Sequence, residues 1–327
     1  MMWLPPRTRT GRKSEMRVVF MGTPDFAVGV LAALADAGYE MAGVVTQPDR
    51  PRGRKKEILP GPVKEEALRR GIPVLQPVRV RRPEAVEEIR ALKPDLIVVA
   101  AFGQIIPKEI LGMPRYGCLN VHASLLPAYR GAAPIQHAIL DGCAETGVTI
   151  MRMNEGLDTG DIISQCRVPI TEETTGGSLF EELAAAGAKL LIETIPHVAD
   201  GTAVYTKQPA ESTTPYAALI SKESGEIDWS ADAESIERKV RGMNPWPSAW
   251  THLDGHILKI WKAHVEKHGE KGPEEEIGRI VRQDAKGLYI RTGSGILVPE
   301  ELQLEGRKRM RASDFLRGYT IRNNQLS

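Results

Sequence analysis

The residues whose types and spacing could do chemistry gather in two short stretches of this 327-residue chain, "GCLNVHASLLPAYRG" at 117–131 and "NEGLDTGDI" at 154–162. Asn120 and His122 are two apart on an apolar, strand-like segment, so their side chains point to one side. An amide N–H₂ can donate to a developing oxyanion, and an imidazole can carry a proton near neutral pH. Together they suit attack on a carbonyl carbon. The histidine needs an acid to orient it, and Asp158 and Asp161, in a Gly-punctuated loop after the next strand, are the two candidates. On chemistry alone, the pair reads equally as a catalytic couple or as strand-end side chains satisfied by hydrogen bonds.

Other chemistries find less support. Ser124 follows His122 by two residues, but no G-x-S-x-G elbow surrounds it, so its hydroxyl reads as a loop or ligand contact. Asp158 and Asp161 as paired carboxylates read equally as turn chemistry. The three cysteines, Cys118, Cys143 and Cys166, form no Cys-x-x-Cys pair, which signals neither a disulfide framework nor a zinc cluster. Cys118 and His122 stand four apart, yet no second pair of ligands lies nearby, so no metal site is expected.

Charge supplies the second class of candidates. "PDRPRGRKKE" holds Arg50, Arg52, Arg54, Lys55 and Lys56 in a Pro/Gly-rich loop, and Arg79, Arg81 and Arg82 follow. Such a run is either a solvated face or a set of contacts to a phosphate backbone. Further along, Arg238, Lys239, Arg241, Arg307, Lys308, Arg309 and Arg311 form two more clusters, and Trp246 and Trp250 read as packing rather than base-stacking residues. Residues 1–15 carry four bases and one acid with no apolar h-region, and read as a disordered leader or a start placed ahead of Met16. Without them the formal charge of +1 becomes negative, so an anionic partner must be met by local clusters.

From Met16 onward, short β-branched runs alternate with helical stretches, the pattern of an α/β fold. "RVVFMG", "MAGVVT", "IPVLQ", "DLIVVAAFG", "GCLNVH" and "GVTIMRM" read as strands. "PDFAVGVLAALADAG", "VKEEALRRG", "PEAVEEIRALK" and "SLFEELAAAGAKLLIETIPHVADG" read as helices. Ligand sites of open parallel sheets lie beyond the carboxyl ends of strands, where Asn120, His122 and "MGTPDF" fall. The latter turn has no G-x-G-x-x-G, which disfavours a dinucleotide. Residues 204–222 show no periodicity and read as a linker. A helix at 231–242 and several short alternating strands then suggest a small β-barrel over 223–327. No run of about 18 apolar residues occurs, so no membrane-spanning segment is expected, and the unpaired cysteines point to a reducing, cytoplasmic setting.

At these motifs the sequence resembles the folate-dependent formyltransferase family, in its methionyl-tRNA formyltransferase branch. "VVFMGTPDFAV", "TQPDRPRGR", "GCLNVHASLLPAYRGAAPIQ", "ETGVTIMRMNEGLDTGDI" and "IDWS…NPWPSAW" follow the family pattern in order. The resemblance implies a Rossmann-like parallel-sheet catalytic domain at 16–203 and an OB-fold-like domain at 223–327 that helps hold tRNA. It implies Asn120, His122 and Asp158 as a catalytic trio and Ser124, Leu125, Leu126 and Pro127 as the folate-binding loop. It also implies 10-formyltetrahydrofolate as formyl donor, methionyl-initiator tRNA as acceptor with the basic loop on its acceptor arm, and a monomer. Two positions depart from the pattern: the loop reads "GRKKE" without a further glycine, and Ala123 stands where glycine is expected. A formyltransferase acting on a small amine, such as a nucleotide sugar or glycinamide ribonucleotide, would keep the trio without the basic loop. A non-catalytic RNA-binding protein would need neither Asn120, His122 nor Asp158.

Overall fold

The structure, a computed structural model, describes residues 15–52, 57–267, 273–285 and 287–327. Two compact units result. One holds the chain through Arg130, Gly147–Val168 and Glu181–Tyr216; the other holds Gly131–Thr146, Pro169–Phe180 and Ala217–Ser327.

The first unit opens with β1 (Arg17–Gly22), α1 (Asp25–Asp36) and β2 (Glu40–Val45). In α1, Phe26, Ala27, Val30, Leu31 and Leu34 fall at helical spacing and are buried, and Gly38, at φ +82°, lets the chain leave the helix. A short hairpin of β3 (Arg50–Arg52) and β4 (Glu57–Leu59) follows, then α2 (Pro62–Arg69), β5 (Val74–Leu75), α3 (Pro83–Ala91), β6 (Leu96–Ala100), α4 (Lys108–Leu111) and β7 (Cys118–His122). The hairpin frames the basic loop, of which Arg54, Lys55 and Lys56 lie outside the described residues.

The main sheet then gains β8 (Glu145–Arg152) and β9 (Asp161–Pro169), and its strand order is β5-β2-β1-β6-β7-β8-β9. The first five run parallel, in the order of a doubly wound sheet, and β8 joins β7 antiparallel. As its unbroken apolar run predicts, β6 is central and wholly buried. The carboxyl ends of β1 and β6 meet closely: a Cβ on Gly22 would stand 2.7 Å from Ala27 Cβ and 2.8 Å from Ala100 O. Only glycine fits that approach.

Beside the short β3, β4 and α4, two further elements absent from the sequence reading appear here. β9 reads "DIISQCRVP", a half-exposed strand whose polar positions dilute the apolar signal. In the second unit, α5 (Pro134–Leu140) was likewise masked by its short length. The long helix α6 (Gly176–Asp200) and the helix α7 (Ala233–Gly242) stand where expected, the latter capped by Asp232, whose carboxylate accepts from Ser235 N–H at 2.7 Å.

Five strands, β10 (Ala249–Leu253), β11 (His256–Lys267), β12 (Ile280–Asp284), β13 (Gly287–Arg291) and β14 (Ile296–Leu304), form the antiparallel path β10-β11-β14-β13-β12. β15 (Met310–Arg311) pairs β14, and α8 (Ala312–Gly318) buries Phe315 against the same core. β10 was missed, although the Asp254–Gly255 turn, both residues at positive φ, is a strong hairpin signal. The chain's last residues bridge the two path ends: Ile280 N–H donates to Asn324 O at 2.8 Å and His252 N–H to Ser327 O at 2.7 Å. Trp250 is partly covered, its indole N–H donating to Lys222 O, but Trp246 is 58% exposed and does not pack as expected.

α1 and α2 are tied by charge. Arg70 reaches Asp36 at 2.6 Å and Glu66 at 2.5 Å, and Arg69 also holds Glu66. Hydrogen bonding from Arg69, then Arg70, outweighs burial and takes the Glu66 carboxyl from 4.5 to about 2. A carboxyl depressed on folding contributes stability above its unfolded value and loses it as pH falls through the folded one. Glu66→Gln should therefore cost about 1 kcal/mol at neutral pH after solvent screening, a difference from wild type that fades between pH 4.5 and 2. Urea melts of both proteins across that range check this.

Candidate active site

β7 delivers Asn120 and His122 to the carboxyl end of the sheet, with Asn120 opposite Val99 of β6 and Met151 of β8. His122 is buried at 6% exposure and Asn120 is half-buried. His122 Nε2 stands 3.0 Å from Tyr129 O. A carbonyl only accepts, so Nε2 carries a proton and donates it there. That leaves Nδ1 facing the site, 3.7 Å from Asp158 Oδ1. Between the two sequence candidates the fold therefore selects Asp158. Asp161 opens β9 instead.

Asp158 is held in an unusual conformation, φ +52°, in the left-handed region that a non-glycine residue enters at a cost of roughly 1–2 kcal/mol. Its loop is stapled from within: Asn154 Oδ1 accepts from Gly156 N–H at 3.0 Å and Thr159 Oγ1 at 2.9 Å, and Asn154 Nδ2 donates to Thr159 O at 3.2 Å. Gly160 is forced by space, since a Cβ there would fall 1.9 Å from Arg152 O. The Asn120 amide, by contrast, has no hydrogen-bond partner among the described residues. An unspent donor beside an imidazole and a carboxylate can stabilise charge on a carbonyl oxygen while the ring nitrogen moves a proton.

The loop 124–127 is held by its own neighbours. Ser124 is fully buried and its hydroxyl donates to Ala128 O at 2.6 Å, so the hydroxyl is spent inside the loop rather than turned to a ligand. Buried Thr149 on β8 donates to Ser124 O at 2.7 Å and accepts from Leu126 N–H at 3.0 Å and Gln165 Nε2 at 2.9 Å. Gln165 also donates to Leu126 O at 2.9 Å, and Ser212 Oγ donates to Pro127 O at 2.7 Å. Leu126 is buried and Leu125 and Pro127 are half-buried. The sequence reading did not find Thr149, Gln165 or Ser212, which are polar residues in a strand, a strand and an irregular segment with no motif of their own.

Cys118, at the start of β7, packs in the core with its thiol 3.6 Å from Ile110 O, and burial pushes its pKa up to about 12 against the pull of Arg152.

Residues 16–195 match the family described as formyl transferase, and residues 219–320 match the formyl transferase C-terminal domain. The chain belongs to the formyl transferase family. Among its formyltransferase relatives, the methionyl-tRNA formyltransferase of Agathobacter rectalis is 54% identical over 303 residues, 93% of this chain and 96% of that one. That of Bacillus subtilis is 54% identical over 303 residues, 92% and 94% of the two chains. Solved structures share the fold at lower identity. The N-formyltransferase from Helicobacter canadensis, in complex with folinic acid and dTDP-3-aminofucose, aligns at TM-score 0.64 and 20% identity over 87% of this chain and 98% of its own. HypX from Aquifex aeolicus, in complex with tetrahydrofolic acid, aligns at TM-score 0.60 and 19% identity over 92% of this chain and 47% of its own.

Replacing Thr149 of the formyltransferase by Val should leave Leu126 N–H and Ser124 O without their buried partner. We expect a loss of about 1–3 kcal/mol, read as a lower urea midpoint with an unchanged slope.

Proposed function

We propose that this formyltransferase transfers the formyl group of 10-formyltetrahydrofolate to the α-amino group of methionyl-initiator tRNA, giving N-formylmethionyl-tRNA, and acts as a cytoplasmic monomer. The observation that carries the chemistry is the convergence of Asp158 on His122, 3.7 Å apart, beside the unspent amide of Asn120. The acceptor follows from relatives named methionyl-tRNA formyltransferase that are 50–54% identical along almost the whole chain.

The donor supplies an activated one-carbon unit; this chain supplies orientation and electrostatics. Asn120 donates to the carbonyl oxygen as negative charge develops on it. His122 is anchored through Nε2, so Nδ1 receives the proton that the attacking amine must lose, and the Asp158 carboxylate holds it there until the leaving nitrogen needs it. The loop at Ser124, Leu125, Leu126 and Pro127 walls the donor, with Leu125 and Pro127 rather than the Ser124 hydroxyl left to touch it.

For the tRNA, we read 16–203 as the catalytic domain, 204–222 as the connection and 223–327 as an OB-fold-like domain. Support comes from the two family matches and from the antiparallel sheet whose path ends are bridged by the last residues. Arg50, Arg52, Arg54, Lys55 and Lys56 face the acceptor arm in this reading. Arg50 is available beside its bond to Gln47 Oε1, and hairpin β3–β4 holds the ends of the loop.

Labelled formyl transfer from 10-formyltetrahydrofolate, offered to methionyl-initiator tRNA beside a panel of small amines, tests the reaction. The charged tRNA alone should be formylated, with His122→Ala slower by about 10²–10⁴-fold and Asn120→Ala by about 10²–10³-fold. Transfer to a small amine instead, or tRNA binding without transfer, would discard the reading. Charge reversal at Arg54 and Lys55 should raise KM for tRNA at least tenfold and leave KM for the donor within about twofold, while the salt slope flattens by roughly one per lost contact. Equal losses for both substrates would remove the basic loop from the tRNA interface.

A further inference from the structure

Residues 204–214 lack periodicity, yet in the structure they run along the site. Thr206 and Ile162 exchange two backbone hydrogen bonds of 2.8 Å. Two residues on, Gln208 Nε2 donates to Asp158 O at 3.0 Å and to Gly160 O at 2.7 Å, the carbonyls on either side of Thr159. Its Oε1 accepts from Arg130 Nε at 3.2 Å and Nη2 at 2.9 Å. A guanidinium only donates, so the Gln208 oxygen must face Arg130 and the N–H₂ must face the Asp158 loop. Arg130 is itself fixed, 7% exposed and donating to Pro209 O at 2.8 Å and Ala210 O at 3.0 Å.

We propose that Gln208, oriented by Arg130, is a positioning residue that holds Asp158 against His122. This rests on the catalytic reading of Asn120, His122 and Asp158 given above. Asp158 sits in a left-handed backbone conformation, and conformations of that kind persist where the surrounding structure holds them. Asn154 clamps the loop from inside. Gln208 is the clamp from outside, and it grips the carbonyl of Asp158 itself. Losing both its donors removes the bonds that hold the carbonyls of Asp158 and Gly160 from this side and lets the Asp158 carboxylate drift from Nδ1. Displacement of about 1 Å at a catalytic group can cost about a hundredfold in rate. The hydrogen bonds of Gln208 go to Arg130 and to the Asp158 loop and not to His122 or Asn120, so its effect passes through Asp158.

Gln208→Met keeps the volume and removes every hydrogen bond. Gln208→Glu keeps an oxygen for Arg130 but turns a carboxylate toward the two carbonyls. Formyl transfer to methionyl-initiator tRNA is measured for both, for Asp158→Asn, and for each Gln208 variant combined with Asp158→Asn. We expect either Gln208 variant to lower kcat about 10–100-fold with KM for both substrates within about threefold. Each double variant should be no slower than Asp158→Asn alone, because a residue that acts through Asp158 has nothing left to position. A Gln208→Met enzyme within twofold of wild type, or losses that multiply in the double variant, would overturn the proposal. Should the methionine variant fail to fold, as judged by donor binding and melting, the glutamate variant carries the same comparison. Full activity in Asp158→Asn would instead sink the reading of the site, separating that failure from this one.

Discussion

The hydrogen bond from His122 Nε2 to the carbonyl of Tyr129 governs the geometry of the candidate site. It fixes the ring, names the tautomer and leaves a single ring nitrogen turned toward Asp158. To bring that carbonyl back to the strand end, the chain after β7 must fold over within seven residues. Tyr129 takes a left-handed conformation, φ +55°, and its N–H is held by Thr214 Oγ1 at 2.7 Å. Ser124, Thr149, Gln165 and Ser212 satisfy the polar backbone of the turn in between. A buried polar turn is stable only when such accounts close, since each unpaired group costs about 1–3 kcal/mol. The loop at 124–127 thus also holds the histidine in place.

Much of this was legible before any coordinates. Two-residue spacing on a strand is enough to pair Asn120 with His122, and the unbroken apolar run of β6 is enough to centre it in the sheet. The choice of Asp158 over Asp161 was not legible from spacing, because it depends on a positive φ and on glycine-permitted contact with Arg152. Short or half-exposed elements, β9 and α5, hid behind mixed composition. The segment at 204–214 was harder still. Its role is carried by side-chain amides and hydroxyls bonding to backbone, an arrangement with no period to detect.

Basic clusters illustrate the same limit. In the sequence, Arg238, Lys239 and Arg241 look like anion contacts. In the fold, Arg238 donates to Leu140 O at 3.0 Å, Lys239 to Glu226 O at 2.6 Å, and Arg241 pairs with Glu237 at 2.6 Å while reaching Thr174 O at 3.1 Å. These side chains tie α7 to its own unit. Arg309 shares itself between Glu301 and the face of Trp261. Count alone cannot separate a cation that recognises a partner from one that caps a carbonyl.

The bridge made by the last residues carries a consequence of another kind. Leu326 is buried in the core of the second unit, its N–H donates to Gly278 O at 2.9 Å, and the carboxylate of Asp254 in the β10–β11 turn receives Arg322 N–H at 3.1 Å and Asn323 N–H at 2.8 Å. Residues 323–327 thus cover backbone groups on β10 and beside β12 at once. Trimming five residues would uncover backbone groups of His252, Gly278 and Ile280 at the two path ends, and uncovered sheet edges are where sheet proteins stick to one another. Protection of both sheet edges thus falls to one short segment that contributes no residue to the candidate site.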